Sequence, residues 1–327
     1  MMGANKVSVI IPMYNVSAVI DNCIATLFSQ TLSDIELVFV DDCSTDDSLN
    51  KLKAILPEKD GVEVKILQHS VNRGVAAARN TGLAAVTGEY VYYVDADDYI
   101  ESNTLEVLYK EAKQKDADIV GCEWFLSFKY NERAVKQSQA HSGEELFKKF
   151  AGGVIRWNLW LFLVKRSLYV DNDIHFFERM NMGEDMMVMM KLALNAKNVS
   201  IVNIPLYHYI QTNTNSLTKN FSTYKEQVTF NAEEVARYVD NISRKDLISD
   251  VLQLKLSLKL PLLISDKKRD YEMWMAWFPE ANIAVDNNVY LPWRTWFIQK
   301  MAVKRHFWIL RLYYWLIIKV VYGIIYK

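Results

Sequence analysis

Over the first hundred residues, short buried-type apolar runs alternate with segments of helical spacing, and this alternation constrains the chain more than any other feature. Val7 to Ile11 is a β-branched run ended by Pro12, the pattern of a strand buried on both faces. From Val19 the apolar residues fall at Val19/Ile20, Cys23/Ile24 and Leu27/Phe28, a helical period. Ile35 to Val40 reads as a second buried strand and Leu49 to Ile55 as a helix. Val62, Val64 and Ile66 alternate with polar residues, which predicts a third strand with one wetter face. Val75 to Val86 is Ala-rich and helical, and Tyr90 to Val94 is a fourth strand. Parallel neighbours need crossover connections, so this order predicts an α/β fold with a mostly parallel central sheet flanked by helices.

Further along, the order is less regular. Ser102 is a plausible N-cap for a helix from Leu105 to Lys115, followed by a strand from Ile119 to Trp124 and a polar loop from Lys129 to Ser142. Glu184 to Ala196 reads as a Met-rich helix whose methionines fill core, Val199 to Val202 as a short strand, and Pro205 to Thr218 as a loop. From about Ser222 to Ile264 the pattern is helical.

Composition narrows the function classes. Hydrophobic residues make up 51% and charged residues 24%, enough for a sizeable core and against disorder. The 38 Lys and Arg balance 39 Asp and Glu, so no basic surplus exists to meet a nucleic-acid backbone. Cys23, Cys43 and Cys122 are odd in number and lack metal-ligand spacing, which suits a reducing compartment. The first apolar run is too short for a signal peptide and is cut by Pro12, so the expected location is cytoplasmic.

In parallel α/β sheets, ligands bind outside the carboxyl ends of the strands. Three strands deliver suggestive residues there: Pro12-Met13-Tyr14-Asn15, Asp41-Asp42-Cys43-Ser44-Thr45-Asp46 and Asp95-Ala96-Asp97-Asp98. Crowded carboxylates repel unless a cation joins them, and hard divalent ions favour such oxygens. Taken singly, each acid reads equally as a helix cap or a solvated turn residue. Between the third and fourth strands, Gly74 can open a turn at a helix start. Arg73 and Arg79 either meet phosphate or base oxygens or belong to a packed helix with a solvated face. Glu184 and Asp185 would suit the first turn of a helix on dipole grounds alone.

The ordered set Val7-Ser8-Val9-Ile10-Ile11-Pro12-Met13-Tyr14-Asn15, Val40 to Asp46, Asn72-Arg73-Gly74, Ala78-Arg79-Asn80 and Asp95-Ala96-Asp97-Asp98 resembles the family 2 glycosyltransferases of GT-A fold, of the bacterial capsule and exopolysaccharide type. The resemblance resumes at Gly183-Glu184-Asp185 and Leu206-Tyr207-His208-Tyr209, and departs at Cys43, where the family more often has Gly. It implies a nucleotide site at Pro12, Asn15, Asp42, Arg73 and Asp97, with Asp42 on the base, typically uracil, and Asp97 near the ribose. It implies Asp98 as the residue holding a divalent metal, Mn²⁺ or Mg²⁺, on the diphosphate, and Asp185 as general base in an inverting transfer. Asp95, Arg79, Glu184 and His208 are further candidates, although a packed histidine is the plainer reading of His208. The partners implied are a nucleotide-sugar donor, UDP-linked, and a glycan or lipid-linked glycan acceptor. A GT-A domain over residues 1–220 is expected, with a nucleotide-binding half 1–121 and an acceptor half 122–220, then a helical extension 221–290 and a tail 291–327. A sugar-phosphate nucleotidyltransferase would want a glycine-rich loop after the first strand, where this chain has none. An inactive nucleotide-binding scaffold would be expected to lack Asp98 or Asp185.

The tail has no acidic residue after Asp286, yet carries Arg294, Lys300, Lys304, Arg305, Arg311, Lys319 and Lys327 among many aromatics. A helical tail would bring Lys300, Lys304 and Arg311 close to one face. Phe307 to Tyr326 is long enough to span a bilayer but contains Arg311 and Lys319, so an in-plane helix on the inner face of the cell membrane is the expectation. The alternative is a soluble helix packed on the core or on another subunit, which leaves oligomerisation open.

Overall fold

The structure is a computed structural model and describes residues 5–211, 225–287 and 291–317. The β-branched run forms β1 (Val7–Met13), in which Val7, Val9, Ile10 and Ile11 have no exposed surface. A strand buried on both faces must sit inside a sheet. Accordingly β1 pairs in parallel with β2 (Ile35–Asp41) on one side and β4 (Tyr90–Tyr93) on the other, and β3 (Val62–Gln68) pairs in parallel with β2. Helices α1 (Ile20–Phe28), α2 (Ser48–Ile55) and α3 (Val75–Ala85) are the crossovers. All four strands therefore present their carboxyl ends to one edge.

The sheet then continues as a mixed one. Its nine strands run in the order β3-β2-β1-β4-β8-β6-β9-β5, with β7 paired to β6. The added strands are β5 (Tyr99–Ile100), β6 (Ile119–Ser127), β7 (Glu132–Val135), β8 (Phe162–Lys165) and β9 (Val199–Ile210). Between them lie α4 (Thr104–Lys115), α5 (Gly143–Ala151), α6 (Arg166–Asp171) and α7 (Glu184–Asn195). The α/β expectation holds, with antiparallel pairing at β5, β7 and β8.

Three local expectations change. The short strand ending at Val202 extends to Ile210, because parallel β6 carries it past Pro205 and two register shifts beside Glu123 absorb the proline. Residues 212–218 of the expected loop lie outside the described residues. Within the polar segment expected as a loop, β7 folds back on β6 as an edge strand with exposed polar positions. Helix α4 starts at Thr104 after Asn103, without a side-chain cap, so Ser102 is not the N-cap. The methionines of α7 are fully buried, as core filler should be. Cys43 has φ 60°, the left-handed region a glycine adopts at no steric cost, which explains why a glycine suits that turn.

The chain divides into two units: residues 1–147 with 156–234, and residues 148–155 with 235–327. The second is helical and contains α9 (Ile248–Lys259), α10 (Lys268–Ala276), α11 (Trp293–Val303) and α12 (Phe307–Tyr313). Helix α8 (Lys225–Asn241) crosses from one unit into the other. Buried Lys259 donates to the carbonyls of Trp277 and Phe278 and lies 4.2 Å from the Trp274 ring centre. The tail is broken at Arg305, φ 57°, into α11 and α12 rather than forming one helix. Two of the three cations expected on one face are engaged inside the unit. Lys300 pairs with Asp286 at 2.8 Å, and Arg311 Nε donates to the Asp266 carbonyl at 3.0 Å. Among the described residues no helix is long and apolar enough to cross a membrane. Lys319 and Lys327 lie outside them.

Candidate active site

At the carboxyl edge, Asp42 follows β2 and is buried. Its Oδ1 accepts the Arg73 N–H at 2.9 Å, and its Oδ2 accepts the Gly74 N–H at 2.7 Å. Oδ1 also meets His69 Nδ1 at 2.6 Å, and His69 Nε2 lies 2.8 Å from the Thr81 hydroxyl. One carboxylate thus gathers the loop between β3 and α3. Gly74 has φ 89°, and a side chain there would run into Asn181, whose Oδ1 accepts the Ala76 N–H at 3.1 Å. Asn15, at φ 53°, accepts the Thr45 N–H on its Oδ1 at 2.8 Å, tying the end of β1 to the turn after β2. Half-buried Pro12 and exposed Asn15 border this rim, and the half-exposed Arg73 guanidinium pairs with Glu178.

The second centre forms around Arg79 on α3. Its Nη1 lies 2.6 Å from Glu184 Oε1 and 2.6 Å from Asp185 Oδ1, and its Nη2 lies 3.5 Å from Asp95 Oδ1. Gly183, at φ 78°, turns the chain so that both acids open α7. Arg79 is buried, and burial alone would weaken its charge. The charges of Asp185, Glu184 and Asp95 outweigh that effect and hold its pKa above the ordinary value. Burial, with the Asp185 charge beside it, lifts Glu184 to about 8 against the pull of Arg79. Asp95 keeps about a third of its side chain exposed, at 32%. Partial burial and repulsion from Asp97 and Asp185 raise it to about 6 despite Arg79. The sequence-predicted residues Arg79, Asp95, Glu184 and Asp185 are therefore brought together.

Asp98, expected to hold the metal, closes the same acid turn. It is buried, its Oδ1 accepts the Ile210 N–H at 2.8 Å, and its Oδ2 accepts the Tyr207 hydroxyl at 2.9 Å. Burial first, then the charges of Asp97 and Asp95, push its pKa well above the usual carboxylate range. The Tyr207 oxygen also accepts the Asp95 N–H at 3.1 Å, so one tyrosine closes both ends of the Asp95–Asp98 turn. Asp97 sits half-buried within that turn. His208 is packed between the rings of Tyr99 and Phe125, and its nitrogens meet Glu132 and Glu101, each at 2.8 Å.

His69, Tyr207 and Asn80 take part in the site without a local sequence signal for their roles. Asn80 binds the backbone of Phe176 on both sides, at 2.8 and 2.9 Å, and seats the segment that leads to Glu184. Tyr207 lies in the Leu206-Tyr207-His208-Tyr209 segment, but its partners come from the distant turn after β4, a pairing no local pattern carries.

The profile of Glycosyl transferase family 2 matches residues 8–185. An uncharacterized glycosyltransferase, EpsJ of Bacillus subtilis, is 33% identical over 221 residues, covering 65% of this chain and 63% of that protein. A cholesterol galactosyltransferase of Borreliella burgdorferi is 32% identical over 247 residues, 70% of this chain and 66% of that one. The chain thus spans under two thirds of the length of these relatives. The crystal structure of S. aureus TarS 1–349 in complex with UDP-GlcNAc superposes with a TM-score of 0.68 at 20% identity, over 94% of this chain and 91% of that one. At that identity the likeness shows the fold, which is the GT-A arrangement with a helical C-terminal region.

Proposed function

The chain belongs to glycosyl transferase family 2, and we propose that it is an inverting glycosyltransferase moving a sugar from a UDP-linked donor to a hydroxyl of a glycan or lipid-linked glycan acceptor. One observation carries this reading: Arg79 gathers Glu184, Asp185 and Asp95 at the strand edge where Asp42 organises the loop holding Arg73 and Gly74. The donor class is supported by the UDP-GlcNAc complex of the TarS structure and by a relative that transfers galactose.

In this reading the rim of Pro12, Asn15, Asp42 and Arg73 takes the nucleotide, with Asp97 at the ribose or diphosphate. An acceptor hydroxyl is a poor nucleophile until a positioned base removes its proton. Asp185 is suited to that work, because Arg79 holds its Oδ1 and the Leu159 N–H reaches its Oδ2 at 3.4 Å, which fixes the carboxylate's orientation. Attack from the face opposite the leaving nucleotide inverts the anomeric centre.

Among the described residues no group of three or more His, Cys, Asp or Glu is arranged to hold a metal ion, so the acid turn would supply only part of a divalent cation's oxygen ligands and the donor diphosphate the rest. Asp95 and Asp97 stand two residues apart; burial first, and then repulsion from Asp97 and Asp185, raises Asp95, and a cation joining the two acids would relieve the repulsive part. Asp95 and Asp97 would hold Mn²⁺ or Mg²⁺, and Asp98, whose oxygens accept from Tyr207 and Ile210, would support the turn. When bound, such an ion neutralises charge growing on the diphosphate.

The test is a thermal-shift screen of nucleotide-sugars with Mn²⁺, since a ligand that binds only the native state raises its apparent stability. The stabilising donor is then assayed for transfer, with the product anomer read by NMR. Stabilisation by no UDP-sugar would overturn the donor assignment, and a product of retained configuration would overturn the inverting mechanism.

A further inference from the structure

Helix α12 has two faces of opposite character. Leu310 is fully buried, the Phe307 ring packs against Tyr271 with centroids 5.5 Å apart, and Arg311 is tied to the Asp266 carbonyl. These residues lie at helical spacing and form the docked side. The other side is Trp308, Leu312, Trp315 and Leu316, spaced i, i+4, i+7 and i+8, the last two on the π-helical turn, residues 314–317, that follows α12. They are 68%, 49%, 59% and 43% exposed, and Trp293 at the start of α11 is 70% exposed. Two tryptophans and two leucines held outward on one short face are costly in water and need a cover.

Charge identifies the cover. The helical unit, residues 148–155 and 235–327, carries 17 Lys and Arg against 8 Asp and Glu, although the whole chain is at -1. No acid follows Asp286. Exposed Lys304 and Arg305 stand at the break directly before α12. A second copy of the chain would have to bring two such cationic units together, at a repulsive cost. An anionic phospholipid surface offers the complementary charge, and tryptophan is the side chain that favours the headgroup boundary.

We propose that the face formed by Trp308 and Leu312 of α12 with Trp315 and Leu316 of the turn after it inserts shallowly into an anionic membrane leaflet, with Lys304 and Arg305 against its headgroups. The cations that lead are those at the break, because Lys300 and Arg311 are held within the unit. The inner leaflet of the cell membrane supplies such lipids, and attachment there sets the enzyme beside lipid-linked acceptors. Membrane binding does not depend on the transfer reaction, so either can fail alone.

Flotation of the full chain tests this, with vesicles of phosphatidylglycerol and phosphatidylcholine in equal parts against pure phosphatidylcholine. The protein is expected to float with the anionic vesicles at low salt and to be released at high salt. Trp308→Ser with Trp315→Ser should weaken partitioning by about tenfold or more. Lys304→Ala with Arg305→Ala should weaken it by about fivefold per charge on anionic vesicles only. The lysine–arginine variant removes no buried contact, so it decides the matter if the tryptophan variant misfolds. A wild-type protein that stays at the bottom, or variants that float as well as wild type, overturn the proposal. So does a dimer in sedimentation that the tryptophan changes abolish while flotation is absent, which would mean a second copy covers the face.

Discussion

Arg79 Nη1 stands 2.6 Å from Asp185 Oδ1, joining the helix after β3 to the helix that opens at Glu184. The same nitrogen holds Glu184 at equal distance, so one buried cation fixes two neighbouring acids whose environments differ. Asp185 is the more accessible of the two, with side-chain exposures of 17% and 9%. In the proposed reading, that asymmetry suits Asp185 to accept the proton and Glu184 to support it.

Asp185→Asn keeps the shape and removes the basicity. Turnover is expected to fall by about two orders of magnitude or more, with donor binding nearly unchanged. Steady-state kinetics beside UDP calorimetry check it. Full turnover in the variant would make Asp185 a first-turn acid of α7 and leave Glu184 the next candidate.

Glu184 gives the stability a pH dependence of defined sign. Its native pKa, about 8, stands above the ordinary 4.5, so the folded state binds this proton more tightly. The stability it contributes is complete below about 4.5 and is lost as pH rises through about 8. Glu184→Gln, a mimic of the protonated form, should flatten the fall of melting temperature across that window and retain most of the activity. Identical pH slopes in variant and wild type would refute the assignment.

In the proposed reading the residues of the acid turn divide by role. Asp97→Ala should make UDP binding insensitive to Mn²⁺, whereas Asp98→Ala should lower stability yet keep the metal dependence. Calorimetry with Mn²⁺ and with chelator distinguishes them. A folded Asp98→Ala protein that has lost all metal dependence would return the ligand role to Asp98, and equal UDP affinity with chelator in the wild type would remove the metal from the donor site.

Asp42→Ala removes a carboxylate that accepts two backbone N–H groups and meets a histidine. Hydrogen bonds to charged groups contribute about 1.5–3 kcal/mol each, so a loss on the order of 3 kcal/mol is expected in denaturant unfolding, with weaker UDP binding. His69→Gln should reproduce part of the binding loss, because the ring orients Asp42. Unchanged UDP affinity in both variants would separate this loop from the nucleotide.

Much of the first half was legible because its signals are local. A β-branched run buried on both faces, as in Val7 to Ile11, can only be an interior strand, and regular crossovers leave the parallel strands one shared carboxyl edge. Residue order alone therefore brought Asn15, Asp42 and Asp95 to that edge. Beyond residue 121 the pairing is non-local: β9 runs past Pro205 only because β6 lies beside it, and the edge strand β7 forms only on β6.

The amino-acid sequence by itself determined the alternating α/β core, the acid-rich strand ends and the acid-free tail, since each rests on residues adjacent in the chain. Only the tertiary structure decided which acids face which partner. Asp98 and Tyr207 are 109 residues apart and Arg79 and Asp185 are 106 apart. A carboxylate's role follows from the charge, donors and burial that folding places around it, and those come from segments no local pattern connects.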